Sequence, residues 1–146
     1  MQRFGSVLEF MRSLWALDHA FQSASKRMET RIGVTAPQRL VVRIVGRFPG
    51  ISAGEVAEIL HLHPSTLTGV LKRLEARGVV VRSADPRDGR RALLSLSARG
   101  RKIDALRGGT IEAAVGRVLK DVPDATVRSA RELADRLAAE LDRLGG

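Results

Sequence analysis

Between Thr35 and Gly78 three helix starts follow one another closely, and this punctuation restricts the fold more than any other part of the chain. Thr35-Ala36-Pro37-Gln38 supplies an N-cap, a proline in the first turn and a capping-box glutamine. They open a helix carrying Leu40, Val41, Ile44 and Val45, which stops at Phe48-Pro49-Gly50. Ser52-Ala53-Gly54-Glu55 is a second capping box and starts a short helix with Val56, Ile59 and Leu60. A turn through His61-Leu62-His63 follows, and Pro64 fits the first turn of a third helix. That helix runs through Leu67, Val70, Leu71 and Leu74 to a glycine stop at Gly78. A short helix, a tight turn and a longer helix make a helix-turn-helix.

After Gly78 the period changes. Val79-Val80-Val81-Arg82 and Ala92-Leu93-Leu94-Ser95-Leu96-Ser97 favour strands, and the charged, Gly/Pro-containing segment 83–91 between them predicts a β-hairpin with a basic tip. Ser97 caps a further helix with Ile103, Leu106, Ile111, Val115, Val118 and Val122 as its apolar positions, and Gly108-Gly109 inside it predicts a kink. Pro123-Asp124 separates this helix from a last one.

Both ends carry helical seams. Val7, Phe10, Leu14, Leu17, Phe21, Ala24 and Met28 are spaced alternately by 3 and 4 residues, and so are Val127, Ala130, Ala134, Leu137, Leu141 and Leu144. Such seams pack either on the chain's own core or against a second copy, and the preferred expectation is a homodimer.

The 146 residues hold 25 Lys+Arg against 16 Asp+Glu, a net charge of +9. Residues 1–60 contribute 8 basic and 5 acidic side chains, residues 61–107 contribute 11 and 4, and residues 108–146 contribute 6 and 7. The excess sits in the middle, so a polyanionic partner is expected there. Without cysteine there are no disulfides, no thiolate chemistry and no thiol redox sensing. Five aromatic residues and no Tyr leave little for stacking on single strands. No targeting segment or membrane span is expected, because Glu9 and Arg12 interrupt the first apolar run and no long uncharged run occurs elsewhere. The expected location is the cytoplasm.

Seen as a wheel with Leu67, Val70, Leu71 and Leu74 buried, the third helix turns Ser65, Gly69, Lys72 and Ala76 outward, with Thr66 and Arg73 on one flank and Thr68 on the other. No acidic residue precedes Glu75 on this helix. Small hydroxylated side chains let a helix enter the major groove of double-stranded DNA, and Lys and Arg add charge-assisted contacts. The plain alternative is a solvated face on a core helix. In the hairpin tip, Arg87, Arg90 and Arg91 surround Asp85 and Asp88, so an arginine can enter a minor groove with its guanidinium held by Asp88 in a bidentate pair. A surface salt bridge tying the turn is the simpler reading.

Residues 62–82, Asp85-Pro86-Arg87-Asp88-Gly89-Arg90 and the run Leu94-Ser95-Leu96-Ser97-Ala98-Arg99-Gly100-Arg101 resemble the recognition helix, wing and following helix start of the MarR family of bacterial transcriptional regulators. The resemblance implies an obligate homodimer that acts as a repressor and binds a pseudo-palindromic operator. The fold class it implies is mainly α (α+β): a winged helix-turn-helix with a two-stranded β wing and a helical dimerisation layer from the N- and C-terminal helices. The implied organisation is a dimerisation helix over 1–34, a DNA-binding lobe over 35–101 and dimerisation helices over 102–146. On matching positions it implies major-groove contacts from Ser65, Thr66, Thr68 and Lys72 or Arg73, with the wing, Arg87 and Arg90 with Asp88, at the minor groove. Gly69 departs from a basic residue common in the family, at about 1 kcal/mol of helix cost relative to Ala, and His63 departs from the usual N-cap types. The resemblance also implies a small aromatic or anionic effector between dimer layer and lobe. Trp15 and His19, one turn apart, either line that cleft or pack in the core.

No cofactor is expected. His19, His61 and His63 form no zinc motif, and the chain has no P-loop or dinucleotide fingerprint, so an enzyme is not expected. The alternative functions are a non-specific basic architectural DNA-binding protein and a helical interaction module.

Overall fold

The computed structural model describes residues 5–145, so residues 1–4 of the expected N-terminal helical segment and Gly146 lie outside the described residues. The chain divides into two compact units, Met1–Ile111 and Glu112–Gly146.

The first unit begins with α1 (Ser6–Ile32), which ends where Gly33 takes a left-handed conformation at φ 90°. A helix, α2 (Ala36–Arg47), follows under the full capping box read in the sequence: the Gln38 N–H donates to Thr35 Oγ1 and the Thr35 N–H to Gln38 Oε1. Next come β1 (Ile51–Ser52), α3 (Ala53–Leu60) and α4 (Pro64–Ala76). A β-hairpin of β2 (Val80–Asp85) and β3 (Asp88–Leu96) leads into α5 (Ala98–Ala105). The fold is thus mostly helical, with a three-stranded antiparallel sheet in the order β1-β3-β2.

The buried core joins Val41, Val42 and Val45 of α2, Val56 of α3, Leu67, Leu71 and Leu74 of α4, and Val79 and Leu94 of the hairpin. All four apolar positions expected inside α4 are buried, whereas Leu40 and Ile59 are exposed and Val42 and Ala57 take the inner positions. Arg39 is the core's charged member. Its guanidinium donates to the carbonyls of Ile103 and Leu106, both at 2.6 Å, so it satisfies backbone acceptors left open at the end of α5. Arg43 pairs with Asp104 at 2.8 Å on the same α2–α5 contact. Gly100 permits another close approach: a Cβ there would overlap the Val79 carbonyl oxygen.

Three expectations need correction. The wing is longer and its tip tighter than segment 83–91, because the ladder continues to Asp85 and resumes at Asp88. Its outer residues are exposed on both faces, so backbone pairing holds them and no hydrophobic alternation marks them. The sheet has a third strand, since Ile51 and Ser52 pair with Leu94 and Leu93. Finally, the expected kinked helix after Ser97 is two separate helices. Leu106 is extended and Gly109 sits at φ 75°, a left-handed conformation that a continuing α-helix does not accommodate.

The second unit contains α6 (Ile111–Leu119), which crosses the boundary by its first residue, and α7 (Asp124–Asp142), followed by a 3-10 turn at Arg143–Gly145. Neither helix has a buried residue. No helix among the described residues is long and apolar enough to cross a membrane.

Candidate nucleic-acid interface

The turn between α3 and α4 sets how α4 is presented. His61 closes α3 in a left-handed conformation at φ 52°, the one non-glycine residue among those described with positive φ. His63 then caps α4: its Nδ1 accepts the N–H of Ser65 at 3.2 Å, while Pro64 occupies the first turn, where no amide donor is needed. The departure of His63 from the usual cap types is therefore chemically satisfied. With Leu67, Val70, Leu71 and Leu74 turned into the core, Ser65, Thr66, Thr68, Lys72 and Arg73 are all exposed along the remaining surface of α4. Gly69 is half-buried on that helix with open space where a side chain would stand.

The far end of α4 is tied in two places. Arg77 donates to the carbonyl of Gly33 at 2.6 Å, linking it to the end of α1, and Arg82 of β2 pairs with Glu75 at 2.6 Å. The wing is tied as well. Arg91 pairs with Glu55 of α3 at 3.2 Å, so it braces the hairpin against the helix-turn-helix. Glu55 also accepts the Ser52 amide, and this bond, with Arg91 alongside, holds its carboxyl below the usual carboxylate range.

At the tip, Asp85 Oδ1 accepts the N–H of Arg87 at 2.9 Å and Asp88 Oδ1 accepts the N–H of Arg90 at 3.0 Å. The expected bidentate grip of Asp88 on the Arg90 guanidinium is replaced by this backbone bond. Asp88 organises the turn, and the side chains of Arg87 and Arg90 extend into solvent.

Trp15 and His19 share a shallow open hollow of about 670 Å³ on one face of α1, with Leu8, Met11 and Arg12. Trp15 is 73% exposed, so the core-packing alternative fails for it within this chain. Among the described residues no three His, Asp or Glu side chains gather as a metal site requires.

Sequence reading missed the parts that brace these surfaces. The bond from the Ser65 amide to His63 Nδ1, the Glu55–Arg91 tie and the Arg77–Gly33 bond join residues whose types carry no periodic signal. An imidazole at an N-cap was the one visible hint.

A family profile described as MarR family matches residues 32–91, the stretch holding α2, α3, α4 and most of the wing. The chain belongs to the MarR family. Accordingly it is a transcriptional regulator. This MarR-family chain is 29% identical over 109 residues to the HTH-type transcriptional repressor Rv2887 of Mycobacterium tuberculosis (strain ATCC 25618 / H37Rv), covering 75% of this chain and 78% of that protein. With the HTH-type transcriptional regulator TtmR of Methylorubrum extorquens (strain PA1) it shares 34% identity over 136 residues, 90% of this chain and 65% of that one. Among solved structures, CouR from Rhodococcus jostii RHA1 bound to p-coumaroyl-CoA superposes with a TM-score of 0.69 at 26% identity, covering 94% of this chain and 96% of that chain.

Proposed function

We propose that this chain is a sequence-specific double-stranded DNA-binding repressor that binds a pseudo-palindromic operator as a homodimer in the cytoplasm. The observation that carries the reading is the joint exposure of an acid-free N-terminal half of α4 and an arginine-tipped wing on one braced lobe. Ser65, Thr66, Thr68, Lys72 and Arg73 serve the major groove, while Arg87 and Arg90, on the turn organised by Asp88, serve the minor groove. Residues 35–101 form the DNA-binding lobe in this reading, and 1–34 and 102–146 the dimerisation helices. Support for the dimer comes from the apolar seam of α1, where Val7, Phe10, Leu17 and Phe21 are exposed in the single chain, and from exposed Leu141 and Leu144 at the other end. A second copy covers these seams and holds two lobes at the spacing of successive DNA turns.

The hollow around Trp15 and His19 takes a small aromatic or anionic effector, with Trp15 supplying an apolar face and Arg12 a positive charge. CouR, bound to p-coumaroyl-CoA, supports this part of the reading. Release from the operator then requires that the effector bind better to a lobe spacing that misfits the DNA. No catalytic role is proposed.

Selection of bound fragments from a random duplex library, with the full chain, tests the reading. A two-fold symmetric site with half-sites about 10 bp apart is the expected result. Equal recovery of all duplexes overturns it in favour of the architectural alternative.

A further inference from the structure

Two hydroxyl groups on the outer surface of α4, those of Ser65 and Thr68, have their hydrogen-bonding polarity set by the protein. The backbone N–H of Ser65 donates to Nδ1 of His63 at 3.2 Å, so Nδ1 carries no proton and the ring proton of the neutral imidazole sits on Nε2. The Ser65 hydroxyl lies 2.7 Å from that same Nδ1. Between two such atoms only the hydroxyl can donate. Thr68 Oγ1, three residues on, donates to the Pro64 carbonyl at 2.8 Å, a back-bond from residue i to i−4.

A hydroxyl has one proton and two lone pairs. With each proton engaged inside the protein, Ser65 and Thr68 offer only lone pairs to a partner, and both residues are exposed. In the major groove guanine and thymine present acceptors, whereas adenine N6 and cytosine N4 present donors. An acceptor-only hydroxyl matches the second class and repels the first.

We propose that Ser65 and Thr68 select adenine or cytosine on the strand they contact, against guanine or thymine, and that His63 is the specificity-determining residue that fixes the polarity of Ser65. The inference rests on the reading that α4 enters the major groove of an operator. His63 acts on the DNA through Ser65 and is a positioning residue in that sense. Exchange of His63 for another acceptor preserves the selection, whereas its loss frees the Ser65 proton and admits the keto bases.

The test uses the full chain and the duplex obtained by random selection. Each adenine of the half-site is replaced in turn by purine, and each cytosine by 2-pyrimidinone, which removes the amino group alone. Wild-type protein is expected to lose about 3- to 10-fold in affinity at two positions per half-site, the scale of one hydrogen bond. Ser65→Ala removes the loss at one position and Thr68→Val at the other. His63→Ala admits guanine or thymine at the Ser65 position, and His63→Asn, which retains an acceptor at the cap, keeps the discrimination. The inference is overturned if no amino deletion matters in wild type, or if a keto base is preferred at the Ser65-dependent position. The first of these measurements needs no variant to fold. Failure to select any sequence overturns the regulator reading itself, whereas a selected operator indifferent to its amino groups overturns this inference alone.

Discussion

Arg90 and Gly100 show how single residues act through different physics. Arg90 is an exposed cation on a turn whose backbone is already fixed by Asp88, so its replacement leaves the fold untouched. Arg90→Ala is expected to weaken operator binding about tenfold, with a smaller slope of log affinity against log salt and an unchanged dimer. Fluorescence anisotropy across a salt series checks both. Equal affinity of variant and wild type contradicts a wing contact. Gly100 works inside the protein, where α5 meets the Val79 carbonyl with no room for a methyl group. Gly100→Ala is expected to destabilise the lobe by about 1–3 kcal/mol, the usual cost of overpacking, as read from urea denaturation. A variant as stable as wild type contradicts that packing.

Among the elements, α3 and the wing depend on each other through Glu55. Its carboxyl closes the α3 capping box and pairs with Arg91, and its titration lies below the usual range. The sign follows from linkage. A carboxyl whose folded value is depressed contributes stability that is complete above its ordinary value near 4.5 and is lost as pH falls through the lower folded value. The Ser52 and Glu55 amides are therefore expected to stay protected at pH 6 and to open to hydrogen exchange selectively in acid. Glu55→Gln abolishes that acid step. An acid step that persists in Glu55→Gln assigns it to another group. Because both partners are exposed, the Arg91 tie changes global stability little and acts on the angle of the wing.

For the whole molecule, the exposed seam of α1 and the basic middle of the chain lead to two expectations. Leu17→Asp places a charge in the seam, and sedimentation is expected to show monomers with operator affinity lost, since paired half-sites no longer bind one particle. A dimer unaffected by Leu17→Asp contradicts the seam as the interface. Operator affinity is also expected to fall by orders of magnitude between about 50 and 200 mM salt, because contacts to phosphates release counterions. A flat salt titration contradicts DNA as the partner.

Residue order alone carries the helix starts from Thr35 to Ser97, the helix-turn-helix and the position of the wing, because caps, glycine stops and apolar periods are local signals. Thr35-Gln38, Ser52-Glu55 and Gly78 each act within a few residues of themselves, and the structure contains the bonds or left-handed turns that they announce. The inner face of α4 was legible for the same reason. Tertiary structure decided what depends on partners far along the chain. It added β1 to the sheet through Ile51 and Ser52 and buried Arg39 against the end of α5. Each of these outcomes satisfies a backbone donor or acceptor whose other half is supplied by the fold, and hydrophobic periodicity carries no record of such pairings.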